Sequence, residues 1–169
     1  MRHKLSCARA GAGFTLIELM VTIAVLAVIM AIAVPSFTRQ IQSGRAEMAA
    51  DGLKRAVASA RALASQTGRR TTLTINGVVT DCGDKAAWAI TQGGALVSCV
   101  STTDFSKRYE GATLDSTASV TLVFGPSGLS AGLSGAAGNL DSVTYRFVSG
   151  SVRKAVTIDA GGVVGVSDA

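Results

Sequence analysis

The feature that most constrains this chain is an apolar run near its start. From Leu19 to Val34 the only polar side chain is Thr22. With Phe14, Leu16 and Ile17 added, the segment approaches the about 20 residues a helix needs to cross a bilayer. A single span in hydrocarbon must satisfy its own backbone hydrogen bonds, so the run reads as helix. Glu18 does not fit that solvent. A charged, unpaired carboxylate inside such a segment costs several kcal/mol. Glu18 is therefore a candidate functional residue, and its partner has to be found.

The residues before Gly13 include Arg2, Lys4 and Arg9 and no acid. That charge pattern favours a cytoplasmic N-terminus with the rest of the chain outside. A secretory signal peptide would end its apolar run on small residues at a cleavage site, and Val34-Pro35-Ser36 does not read as one. No apolar stretch precedes Cys7, so a lipid anchor is not expected there.

A basic leader ending in Gly13, then Phe14-Thr15-Leu16-Ile17-Glu18, then an apolar helix broken or kinked near Pro35, resembles the type IV pilin signature. Leader charge, glycine, phenylalanine, glutamate and apolar run fall in register. The resemblance implies cleavage by prepilin peptidase after Gly13 and N-methylation of the new N-terminal Phe14. It also implies that Glu18, fifth in the mature chain, pairs with the N-terminal amine of a neighbouring subunit and so serves filament assembly together with Phe14. The segments it implies are a leader over 1–13, a transmembrane and filament-core half-helix over 14–37, and a periplasmic head over 38–169. The chain would sit in the bacterial inner membrane, pass once with its N-terminus cytoplasmic, and move into a pilus or pseudopilus.

Composition then narrows the head. Beyond Pro35 there is room for one small domain. Without the leader, the 16 basic residues fall to 13 against 11 acidic ones, a net charge near +2 and no strong nucleic-acid footprint. The single histidine, His3, lies in the leader, so the mature chain has no imidazole for acid–base or metal chemistry. Cys82 and Cys99 remain, and in an exported domain two cysteines suggest one disulfide. Closing that loop would contribute roughly 3 kcal/mol on the entropic account. Two thiols without histidine leave a zinc shell half empty. No phosphate-cradling motif is present, since Gly161-Gly162 lacks the spacing and lysine of a P-loop. The expectation is a non-enzyme without cofactor or metal.

Past Pro35 the helical pattern continues. Leu53, Ala56, Val57, Ala60, Leu63 and Ala64 form one apolar stripe, with Lys54, Arg55 and Arg61 away from it. Asp51 and Arg55 are four apart in the favourable order. Ala46, Ala49, Ala50, Ala58 and Ala62 favour helix, Gly44 and Gly52 are weak points, and Thr67-Gly68 is the expected stop. Strands follow. Arg70 to Ile75 alternates, Asn76-Gly77 reads as a hairpin turn, and Val78-Val79-Thr80 as its return. Further strands are expected at Trp88–Ile90, Ala95–Val100, Ser119–Phe124, Val143–Val148, Val152–Ile158 and Val163–Val166. Leu129 to Leu140 reads as a loop. The expected fold is α+β, a type IV pilin fold: a long N-terminal helix, its first half transmembrane, packed on one antiparallel sheet.

The second half also resembles a branch of that family, the GspH/FimT-type minor pilins and pseudopilins. The resemblance rests on Ala60–Ala64, on Leu122-Val123-Phe124-Gly125-Pro126-Ser127-Gly128, and on Val156-Thr157-Ile158-Asp159-Ala160-Gly161-Gly162-Val163. It implies a minor pilin that helps prime pilus assembly, with a type II secretion pseudopilin or a DNA-uptake minor pilin as alternatives. Partners would be other pilin or pseudopilin subunits, prepilin peptidase and the inner membrane. Members of the branch often carry arginine beside the last glycine turn, and Gly161–Val166 has none. DNA would then meet only Arg146, Arg153 and Lys154, a weak contact in which at most two share a face. Trp88 and Phe124 read as core, and Arg69-Arg70 as a solvated helix end.

Overall fold

A computed structural model describes residues 13–83 and 85–169. Arg2, His3, Lys4, Cys7 and Arg9 lie outside the described residues. The chain divides into two compact units, one ending at Thr38 and the other Arg39–Ala169.

The first unit contains the start of helix α1, Leu16–Thr67. Its large apolar side chains are exposed, from Leu16 and Ile17 through Val34. The segment is long and apolar enough to cross a membrane, and none of its most apolar window is buried within the protein. A kink or break was expected at Pro35; the proline lies inside α1 without ending it, so the helix is not broken there. Proline removes one amide donor and strains one turn, and the helix continues through it from Val34 to Ser36. The Thr38 hydroxyl donates to the carbonyl of Val34 at 3.1 Å.

In the second unit α1 buries one face. Ala46, Ala49, Ala50, Leu53, Ala60 and Ala64 are all fully buried, with Ala56 and Val57 nearly so. These alanines do more than favour helix: with Leu53 and Val57 they form the face of α1 that enters the core. Gly52 is buried with them, and a Cβ there would collide with the Tyr109 hydroxyl and meet Trp88 at 3.0 Å. The helix stops where expected, at Thr67, with Gly68 at φ +63°.

Ten strands follow. They are β1 Thr71–Gly77, β2 Ala86–Gln92, β3 Ala95–Ser101, β4 Thr113–Asp115, β5 Val120–Phe124, β6 Ser130–Gly135, β7 Gly138–Asn139, β8 Ser142–Ser149, β9 Val152–Asp159 and β10 Val164–Asp168. A short helix, α2, occupies Thr102–Arg108. All pairings are antiparallel. The single sheet expected from sequence is in fact two: β3-β2-β1-β5-β6-β7 and β10-β9-β8-β4. On the core side of the first sheet, Ile90, Leu73, Leu122 and Leu133 stand in one row across four strands. The second sheet adds Tyr145, Phe147, Val156 and Ile158 to the same core.

Three further expectations are corrected. Val78-Val79-Thr80 is not a strand, and Asn76-Gly77 ends β1 without making a two-residue hairpin. Asn76 takes the positive φ its type allows, 54°, but its buried amide donates to the Ser116 carbonyl at 2.5 Å. A long-range contact thus claims the turn signal. Leu129 to Leu140 holds β6 and β7. Its Gly/Ser-rich sequence has little strand character, yet Leu133 sits fully inside, opposite Leu122. Helix α2 was unexpected. Ser101 caps it, accepting from the Asp104 amide at 3.1 Å. Its Phe105 meets Trp88 edge-on at 5.5 Å and Phe147 at 5.9 Å, joining the two sheets.

Candidate functional site: the processing signal and the first turn of α1

Gly13 and Phe14 precede α1 and belong to no regular element. Phe14 is 91% exposed, and a Cβ on Gly13 would meet nothing within 4 Å. The Gly13–Phe14 peptide is thus open backbone outside a helix, the condition a hydrolase needs to thread it.

The next residues form a reciprocal cap. The Glu18 amide donates to Thr15 Oγ1 at 3.2 Å, while the Thr15 amide donates to Glu18 Oε2 at 2.9 Å. The Thr15 hydroxyl adds a third bond to the same Oε2, at 3.0 Å. This is a capping box, Thr-x-x-Glu, in which the side chain of each residue accepts from the orphan amide of the other. The sequence reading gave Glu18 a partner in another subunit and missed this one within the chain. The signal was present: a Thr followed three residues later by Glu just before an apolar run. The cap turns the carboxylate towards the chain start. It sits one residue from the Phe14 nitrogen, where the helix dipole also favours negative charge.

The other candidates lie in the second unit. Cys82 and Cys99 form a disulfide with their Cα atoms 5.9 Å apart. It holds the loop after β1 over a small cluster with Ala86 and Ala89 on the sheet. The three cations are divided. Arg146 pairs with Ala155, and Val148 with Arg153, which puts both arginines on the outer face of the second sheet. Asp115 stands directly across from Arg146 on β4. Lys154 pairs with Phe147 on the opposite face and bonds Asp168 at 2.5 Å. That hydrogen bond raises the Lys154 pKa. Trp88 and Phe124 are core residues. Arg61, expected to point away from the apolar stripe, instead lies over the Phe124 ring at 5.5 Å. It also donates to the carbonyls of Gly161 and Gly162 at 3.2 and 3.0 Å. It pins the β9–β10 turn to α1. Among the described residues no three His, Cys, Asp or Glu side chains cluster to hold a metal.

An apolar helix headed by a capped glutamate leads into an α+β domain. Residues 9–34 match the family described as the prokaryotic N-terminal methylation motif. No curated protein and no solved structure matches the chain. The chain therefore carries a type IV pilin signal ahead of a long apolar helix and a β-sheet domain, and it is pilin-like or pseudopilin-like. The motif indicates a structural subunit, implies assembly with other pilin subunits and processing by prepilin peptidase, and is consistent with membrane anchoring.

Proposed function

We propose that the chain is a minor subunit of a type IV pilus. It is cut after Gly13 and N-methylated at Phe14. Residues 14–37 then anchor it in the inner membrane with residues 38–169 in the periplasm, until it joins the filament and helps prime assembly. The observation that carries this reading is the N-terminal register: an exposed Gly13–Phe14 bond, a carboxylate four residues on, and an unburied apolar helix. The capping box adds a step. In the precursor Glu18 caps its own helix. Cleavage creates a charged amine at Phe14, and the same carboxylate is then placed to neutralise it or the amine of a neighbour. A type II secretion pseudopilin would use the same register. Pilus or secretion genes beside this one separate the two. Any DNA contact through Arg146 and Arg153 is weak and sequence-independent, because two phosphate contacts add little affinity at physiological salt.

The experiment is mass spectrometry and shearing in a piliated host. The mature chain begins at Phe14 and carries one added methyl group, and a host without the peptidase retains the leader. Glu18→Ala inserts in the membrane normally but falls at least about tenfold in sheared filaments, the equivalent of about 1.4 kcal/mol of lost docking. Thr15→Ala removes the hydroxyl's part of the cap and keeps the carboxylate, so it reaches filaments nearly as well as the parent. Recovery of Glu18→Ala at the parental level rejects the pairing role.

A further inference from the structure

Each sheet of the second unit has two edges, and they are not alike. Strand β7 has two residues and β4 has three, while β10 has five, including Gly165 and Asp168. Strand β3 has seven, Ala-Leu-Val-Ser-Cys-Val-Ser, with no charge and no proline. Soluble proteins usually blunt such an edge with charge, proline or a bulge, because its free amides and carbonyls invite another strand. Two register shifts do occur along β3, but they bound a regular stretch in which Ser98, Cys99 and Val100 face Ile90, Ala89 and Trp88. Among the described residues, no backbone hydrogen bond reaches the outer side of that stretch. The disulfide at Cys99 ties it to the loop behind.

A groove of about 780 Å³ runs beside this edge, between α1 and the strands β2 and β3. Its wall includes Trp88, Ile90, Val97 and Val100, and Val97 is half exposed. Among the described residues, the only charged ones lining it are Arg55 on α1 and Arg108 at the end of α2. Neither makes an ion pair among the described residues, and Asp51, one turn before Arg55, does not reach it. An aromatic and aliphatic wall with two free guanidinium groups is the composition of an interface centre. The guanidinium groups set the sign of what fits there.

We propose that β3 and this groove are a docking surface for an extended acidic segment of another protein. That segment pairs its backbone with β3, rests apolar side chains against Val97 and Trp88, and places carboxylates on Arg55 and Arg108. Backbone pairing supplies affinity, and the groove supplies the selection for acid. The surface lies wholly within Arg39–Ala169 and stands whether or not the chain enters a filament.

The test uses the full chain in detergent micelles, purified without reductant. The probe is a labelled synthetic peptide, Glu-Thr-Val-Thr-Val-Thr-Glu, whose valines and glutamates share one face of a strand, with a twin in which both glutamates are lysine and another N-methylated at alternate amides. Binding is read by peptide anisotropy and by the emission of Trp88, the only tryptophan. The acidic peptide binds saturably and moves the Trp88 emission. The lysine twin binds at least about tenfold more weakly, and the N-methylated twin is lost. Arg55→Glu with Arg108→Glu, both at exposed positions, reverses the order of the acidic and lysine peptides, which also shows the variant is folded. Equal binding of the two peptides, an order unchanged by the double variant, or no saturable response up to millimolar peptide overturns the proposal. So does sedimentation showing a dimer of this chain that Val97→Lys dissociates and the acidic peptide does not, because the occupant is then a second copy.

Discussion

The two stretches of α1 obey the same backbone rules and opposite surface rules. In the first, Leu26 is 52% exposed and the residues around it are almost all large and apolar; in the second, Leu53 is fully buried among alanines. Among the described residues the first stretch covers no core, so nothing within the chain fixes the size of its side chains. The second must let two sheets come close, so size is fixed residue by residue. Even the glycines divide this way within the second unit. Gly44 has open space around it, whereas Gly52 lies against Tyr109. Apolar character alone therefore does not tell an exposed apolar stretch from a packed one. The distribution of Ala and Gly does.

The sharpest way to break that comparison is one deletion made in each stretch. Leu53→Ala leaves a cavity in a closed core and costs about 2–5 kcal/mol. Leu26→Ala removes a similar side chain from a surface that packs on nothing within the chain. Urea unfolding of the full chain in micelles, followed at Trp88, shows a large loss for the first and none for the second. Equal losses would mean that the apolar stretch is part of the folded core after all.

The disulfide tests how far the packed half depends on its covalent tie. Cys82 and Cys99 are 17 residues apart. On the entropic account, Cys82→Ser with Cys99→Ser lowers stability by roughly 3 kcal/mol. Thiol labelling of the unreduced parent finds no free cysteine within the head. Two reactive thiols there, or an unchanged melting temperature after reduction, would remove the disulfide from the account of stability.

The glycine pair is the finer test. Gly52→Ala forces a Cβ onto the Tyr109 hydroxyl and costs about 1–3 kcal/mol, the usual range for overpacking. Gly44→Ala meets nothing, gains helix propensity, and stabilises by roughly 0.5–1 kcal/mol. Tyr109→Phe in the Gly52→Ala background restores part of the loss by removing the clashing oxygen. If both alanines prove stabilising, the close approach at Gly52 is wrong.

What the sequence disclosed follows from how local each feature is. The helix stop at Gly68 and the alternation of Val120, Leu122 and Phe124 are written in adjacent residues, and the fold has each where it was expected; the register from Gly13 to Glu18 is equally local, and the methylation-motif match covers it. Strand β6 was hidden because only Leu133 faces the core and its neighbours are small and polar. The division into two sheets depends on β4 meeting β8, with Leu114 opposite Phe147, a pairing no local pattern announces. Arg61 was misread because a cation beside an apolar stripe usually points to water, and here an aromatic face and two carbonyls are within its reach. The caps at Thr15 and Ser101 are a different case. Both spell out a hydroxyl followed three residues later by an acid. They were overlooked because the acid in the first was assigned to assembly and α2 was too short to show a periodic stripe.

The smallest expected effect lies at the far end of the chain, where Lys154 meets Asp168. Its hydrogen bond to Asp168 raises the Lys154 pKa above the ordinary 10.5. A raised lysine contributes stability that is full below about 10.5 and is lost as pH climbs through the folded value. The Asp168 side of the pair is open to solvent, so the contribution is roughly 0–1 kcal/mol and shrinks with salt. Tyr145 acts in the same direction. Burial pushes its phenol up from 10.0, so the folded state resists forming tyrosinate and also loses stability above about pH 10. The two are separated by making Tyr145→Phe first, which removes the tyrosine's alkaline contribution together with its bond to the Ala118 carbonyl. Against that background Lys154→Met lowers stability slightly at about pH 8 and progressively less as pH rises past 10.5. A loss that persists unchanged at high pH would show that the lysine's methylenes packed beside Phe147, rather than its charge, hold the end of β10.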